Sequence, residues 1–255
     1  MSSSDPCALC DTTLERVRYF PRQLITADDM RAEQDWVREK RRLHTRMLHG
    51  FGVVCGLSVL APGPEDPPRQ VTICPGYAAT PHGDEVAVTE PTTLDLGSGA
   101  TDPERCDDPW PCPPRGRMPG KADQMVFVAI RYDECPTRPV RVHPAGCGCD
   151  TAGCERSRIR ESFELTVLWE LPKSHVTARE EDLAWKAMVK VADAEAGEGD
   201  RLMPAPPCPS CSNDPWVVLA SVRLPGDLNT RIGATDISYL ARRVLLSISA
   251  LTNAI

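Results

Sequence analysis

The residues with the most chemistry to offer are the twelve cysteines, spread from Cys7 to Cys211. Their surroundings divide them. Cys55 and Cys74 sit inside apolar, strand-like runs and are expected to be small core residues. The other ten lie in stretches rich in proline and glycine, where a core role is less natural. Cys147-Gly148-Cys149 brings two sulfurs close, because Gly148 lets the backbone fold sharply between them. Gly153-Cys154 offers a third ligand. Cys135, at the end of an apolar strand, can return as a fourth. Four thiolates suit a closed, structural zinc site. An iron–sulfur cluster takes the same donors. Zinc is preferred, because nothing else in the sequence suggests electron transfer. Cys208-Pro-Ser-Cys211 is a second half-site, with Cys106 and Cys112 as the expected partners and Cys7 and Cys10 as competitors. The expectation is about one to two zinc ions on Cys135, Cys147, Cys149, Cys154, Cys208, Cys211, Cys106 and Cys112. The plainer reading is a set of loops holding reduced thiols.

Catalytic chemistry finds little support. Cys55 with His49 as base lacks an orienting acid and an oxyanion site. His44 and His49 are five residues apart and share a helix face poorly as metal ligands. His143 lies near the cysteine loop. There is no phosphate-binding glycine loop, no paired catalytic acids and no nucleophile elbow. No residue is assigned a catalytic or cofactor-binding role, and the chain is not expected to be an enzyme. The alternative is a free-standing zinc-binding enzyme or an iron–sulfur redox protein.

These side chains need elements to hold them. The clearest is a helix over Ala27–Leu48. Thr26 can cap it, with Asp28 and Asp29 favoured in its first turn. Met30, Val37, His44 and Leu48 recur at helical steps, with Trp36, Leu43 and Met47 beside them. Gly50 follows as a stop. Met30, Val37 and Leu48 are expected to pack on the core, and Trp36, Leu43 and Met47 to meet either the core or a neighbouring subunit. The basic run Arg38, Lys40, Arg41, Arg42 and Arg46 reads as a solvated face supported by pairs such as Asp35 with Arg38 and Glu39 with Arg42. Docking of an acidic partner is the functional alternative.

Short apolar runs then alternate with turns. Val53–Leu60, Val71–Cys74, Tyr77–Ala79, Glu85–Val88 and Thr92–Leu96 read as strands, and Arg16–Phe20 as a short one. Met125–Tyr132 and Trp216–Leu224 are the most apolar and should be central. Ser162–Leu171 places Phe163, Leu165, Val167 and Trp169 on one face. Helices are expected over 178–196, capped by Thr177, and over Ile237–Leu251, capped by Asp236. The fold class is α+β: a long N-terminal amphipathic helix on a mostly antiparallel β core, sandwich or barrel-like, with Cys/Pro-rich loops. Residues 1–60 form a tail, helix and first strand, and 61–255 a β-rich core, the two forming one continuous domain or two small ones.

Composition agrees. A net charge of −7 argues against general nucleic-acid binding. No window approaches the roughly 20 apolar residues of a membrane helix. The start MSSSDPCALCDTT has neither the basic nor the apolar region of a secretory signal, so a cytosolic chain is expected. A reducing cytosol disfavours structural disulfides and favours metal ligation.

Several long motifs are shared with a known group. YFPRQLITADD at 19–29, RAEQDW at 31–36 and RRLHTRMLHGFGVVCGL at 41–57 open the likeness. It continues through PGYAATPHGDEV at 75–86, RYDECPTRPV at 131–140, CGCDTAGCERSRIRESFEL at 147–165 and CPSCSNDPWVVLASVRL at 208–224. The sequence resembles a family encoded in gene clusters for phage-tail-like contractile injection systems. The resemblance implies a structural particle component, not an enzyme, and leaves baseplate, cage, cap and plug open; a place at or around the baseplate is the expectation. Its implied partners are other baseplate, sheath or tube proteins, in a symmetric multi-copy assembly, with no nucleic acid and no membrane insertion.

Overall fold

The computed structural model describes residues 14–97, 124–141, 154–195, 208–209, 212, 214–227 and 229–246. The chain is α+β with mostly antiparallel sheets. Helix α1 spans Ala27–Leu48. Its first turn is closed reciprocally: the Asp29 N–H donates to the Thr26 hydroxyl at 3.2 Å, and the Thr26 N–H donates to the Asp29 carboxylate at 2.8 Å. The Thr26 backbone bond holds the Asp29 carboxyl below the usual carboxylate range. The helix stops where Gly50, at φ 74°, donates its N–H to the Thr45 carbonyl at 3.0 Å.

The strands are β1 (Gly52–Gly56), β2 (Val59–Leu60), β3 (Gln70–Ile73), β4 (Gly76–Ala79), β5 (Glu85–Val88), β6 (Thr92–Asp95), β7 (Gln124–Arg141), β8 (Cys154–Leu168), β9 (Val217–Leu224) and β10 (Ile237–Ser238). Helix α2, Lys173–Glu195, follows β8. Among the described residues they form sheets ordered β1-β4-β5, β2-β3-β6 and β10-β9-β7-β8. One apolar cluster unites the three sheets. Val53 and Leu57 join Val71, Leu94, Val128, Leu165 and Leu219 in it, so the core runs across residue 60 without a break. β7 and β9 are interior strands, as their composition requires: five β9 side chains, Val217 to Ala220 and Val222, are fully enclosed, and even Ser221 is buried.

The proline-rich loop at 61–70 has few N–H donors of its own, and arginines serve its carbonyls instead. Arg231 donates to the carbonyls of Gly63, of Pro64 at 3.0 Å and of Asp66 at 3.0 Å. Buried Arg69 reaches back to the Asp227 carbonyl at 3.0 Å.

Five expectations are corrected. Residues 16–20 form no strand. Cys55 is exposed and Cys74 only partly buried. The cause is an irregularity in the β1–β4 register between Val53 and Cys55, which breaks the alternation that would have turned Cys55 inward. Trp169 lies past the end of β8 and is 42% exposed, so it does not continue the face of Leu165 and Val167. Helix α2 begins five residues before Ala178, because the Pro172 carbonyl accepts the N–H groups of His175 and Val176 at 3.0 and 3.3 Å. Ile237–Ser238 is a strand, not a helix start, pairing with Val222 and Ser221. The segment after it turns, the Arg242 N–H donating to the Tyr239 carbonyl at 3.0 Å, and Val244 is then bridged to Val53. Among the described residues, no helix is long and apolar enough to cross a membrane.

Candidate functional site

The side of α1 that faces the sheets is charged. Arg38 pairs with Glu134 of β7 at 2.9 Å, Arg41 with Glu85 of β5 at 2.7 Å, and Arg42 with Asp84 at 2.6 Å. Arg38 and Arg42 also hold their own-helix partners Asp35 and Glu39, at 3.0 and 2.6 Å. Burial works against the Arg42 charge, but its bonds to Asp84 and Glu39 win and raise its pKa. Glu85 is held below the carboxylate range, first by the Tyr77 hydroxyl and then by Arg41. The Tyr77 phenol is pushed up to about 12 by its burial and by that carboxylate.

Backbone contact completes the anchor. Gly83 sits at φ 89° in the β4–β5 turn, and a Cβ there would lie 2.2 Å from the Arg42 carbonyl oxygen. Only glycine allows the turn and the helix to approach so closely. Between α1, this turn and the β7–β8 hairpin runs an open groove of about 610 Å³, lined by Val37, Arg38, Glu85, Tyr132, Ile159 and Glu161 among others.

This anchoring overturns the expected orientation of α1. A helix turns about 100° per residue, so Met30, Val37 and Leu48 lie within about 20° of one line. Arg38 and Arg42 lie roughly 80–120° round from that line. Turning Arg38 and Arg42 to the sheets turns the apolar line away, and Arg41, only about 20° from that line, reaches Glu85 from its edge. Met30 is 50% exposed and Leu48 68%, while Trp36, Leu43 and Met47 are the half-buried ones. The segment leading into α1 is also apolar and open, with Leu24 at 84%. His44 is exposed and meets His49 edge to face, ring centroids 5.5 Å apart.

The cysteines are placed as follows. Cys135 lies in β7, is buried and is disulfide-bonded, with its partner outside the described residues. Cys154 opens β8 as an exposed free thiol, and Cys208 is another. Cys106, Cys112, Cys147, Cys149 and Cys211 lie outside the described residues, as do Cys7, Cys10 and His143. Cys135 pairs with Arg160 and Cys154 with Arg141, so the two cysteines stand six levels apart on the hairpin. At about 3.3 Å per residue that is roughly 20 Å. Two thiolates on one zinc cannot be more than about 4.6 Å apart. The structure therefore does not bring Cys135 and Cys154 to a common ion. The sequence reading placed both in a loop; in fact β7 and β8 run on as strands through Pro136 and Pro139. Among the described residues, no group of three or more His, Cys, Asp or Glu side chains is placed to hold a metal.

One buried titratable group went unnoticed in the sequence. His175, in the first turn of α2, is 6% exposed. Its Nε2 accepts the Val218 N–H at 3.1 Å, and its Nδ1 lies 3.3 Å from the Ser174 hydroxyl. Phe51 meets its ring edge-on at 5.0 Å, and Arg243 stacks over Phe51 at 5.1 Å. Burial, reinforced by the Arg243 charge, lowers its pKa to about 4. The imidazole is thus neutral and serves as a backbone acceptor, not as an acid–base group. Its partner lies 43 residues away, so no local pattern could have marked it.

No protein-family model matches the sequence, and no curated protein matches it.

Proposed function

We propose that the protein is a structural subunit of a phage-tail-like contractile injection particle, at or around the baseplate, and that it works by presenting surfaces to neighbouring particle proteins. The motif resemblance supports this reading. The observation that carries it is the orientation of α1. Salt bridges fix the helix so that Met30, Val37 and Leu48 face outward, continuing an open apolar segment at Leu24 and Ile25. Exposed apolar side chains in a row, here interleaved with exposed Arg41 and His44, mark a candidate contact face. Such a surface is explained by a protein partner that covers it. No reaction is assigned to the chain, and its assembly takes place in the cytosol.

Zinc on the loop cysteines belongs to the same proposal, as a device that orders loops with little apolar surface of their own. The spacing of Cys135 and Cys154 divides the donors: one ion takes Cys147 and Cys149 with one of those two, not both. Cys135 must be reduced to join it. Cys208 and Cys211, with Cys106 and Cys112, are the second set.

The test is to purify sheathed particles and look for the protein by mass spectrometry, then compare solvent labelling of Met30 in the particle and in the isolated chain. The protein is expected in the particle, with Met30 protected there. Its absence from intact particles rejects the assignment. Its presence with Met30 equally labelled in both states rejects α1 as the contact. Metal analysis of the same preparation tests the zinc.

A further inference from the structure

Past Tyr132 and Phe163 the β7–β8 hairpin leaves the core and continues as a two-stranded arm. Its two faces differ. Residues paired across antiparallel strands lie on the same face. Cys135 with Arg160, Thr137 with Arg158, Pro139 with Arg156, and Arg141 with Cys154 therefore share one side. That side carries four exposed arginines and no acid beyond Asp133. Glu134, Glu155 and Glu161 are all on the other face, where Arg38 takes Glu134. Among the described residues, neither Arg141 nor Arg156 forms an ion pair with an acid.

Arg156 and Arg158, two positions apart on one strand, repel one another, and the arrangement is unfavourable unless something anionic meets it. The strand that carries them is also the last of its sheet, in the order β10-β9-β7-β8. Among the described residues no strand pairs with its outer edge over 154–161, so the backbone N–H and C=O groups there face away from the sheet. An extended segment added there would present alternate side chains on the arginine face, with the same repeat of about 6.6–7 Å. Acidic residues at those alternate positions would each face an arginine.

We propose that the outer edge of β8 between Cys154 and Glu161 is a docking strip for an extended acidic segment of a partner protein, read by Arg156 and Arg158. The strip stands on the register of the arm and is independent of which particle, if any, the protein joins. A carboxylate-bearing strand fits better than nucleic acid because the arginine repeat matches that of a strand laid edge to edge.

The probes are a labelled peptide alternating Glu with Thr or Val over about ten residues, the same peptide with Lys for Glu, and a single-stranded oligonucleotide of equal charge. Fluorescence anisotropy with the full chain reads binding, and hydrogen exchange reads the backbone at 154–161. The Glu peptide is expected to bind, to weaken with salt, and to slow exchange over 154–161. The variant R156E/R158E should lose at least about tenfold for the Glu peptide and gain for the Lys peptide. Should that variant fold poorly, R156Q/R158Q should show the loss alone. Tighter binding of the oligonucleotide overturns the proposal in favour of a general polyanion surface. Binding without slowed exchange at 154–161 overturns the edge pairing. Unchanged peptide binding in a variant that now self-associates also overturns it, and makes the arginines a guard against edge pairing between copies.

Discussion

Lowering the pH should destabilise this protein through His175 before most of its carboxylates matter. In the fold the imidazole is 6% exposed, and its pKa falls from 6.5 to about 4, through burial first and the Arg243 charge second. In the unfolded chain it titrates near 6.5. Between those values the unfolded state binds one more proton than the folded state, so stability must fall as pH falls. The contribution is fully present above pH 6.5 and is lost progressively down to about pH 4. At about 1.4 kcal/mol per unit, the gap is worth roughly 3 kcal/mol. That is a large share of the 5–15 kcal/mol typical of a domain, at about the lower end of that range. Protonation also turns Nε2 from an acceptor into a donor, against the Val218 N–H that it now receives at 3.1 Å. The assay is urea unfolding at pH 7.5, 6.5, 5.5 and 4.5 for the wild type and for His175→Gln, whose side-chain carbonyl can accept the same N–H but does not titrate. The wild type should lose roughly 2–3 kcal/mol over that range beyond whatever the variant loses. Parallel pH profiles for the two proteins would refute the reasoning, and so would a native His175 resonance titrating near 6.5 by NMR.

Three further outcomes follow from the geometry. Gly83→Ala places a methyl 2.2 Å from the Arg42 carbonyl at a left-handed φ, and should cost about 1–3 kcal/mol; limited proteolysis should show new cleavage within Ala27–Leu48, and an unchanged digest would mean that α1 is not anchored at this turn. Arg242→Ala strips donors from the carbonyls of Leu219, Gly56 and Leu57, joining β9 to β1, and should destabilise by about 1–3 kcal/mol in thermal melts; Arg242→Lys should recover only part of this, lacking the planar fork. If the purified chain carries zinc at the arm, either Cys135→Ser or Cys154→Ser should lower its content by metal analysis, but not both, since about 20 Å separates the two positions on the hairpin; equal loss from both would contradict the register.

What the sequence determined by itself is local. The span of α1 is legible because its instructions are contiguous: Thr26 and Asp29 close the first turn, a periodic interior follows, and Gly50 supplies the positive φ that ends it. The central strands over Met125–Tyr132 and 217–224 are legible for the same reason, since a strand enclosed on both faces needs an unbroken apolar run. What only the tertiary structure decided is which side of an element faces in and which distant groups meet. The apolar line of α1 faces outward because Asp84 and Glu134, 42 and 96 residues away, claim Arg42 and Arg38 on another side. Ile237 and Ser238 open a helical pattern but form a short strand, and Val244 a bridge, because β9 and β1 offer their backbones partners that a helix would forgo. Cys135 and Cys154 sit in a stretch rich in proline and glycine and read as one loop, yet strand register holds them far apart. Periodicity reports what a segment can bury. Ion pairs and strand pairing across the chain decide what it does bury, and their partners have no fixed spacing to be read.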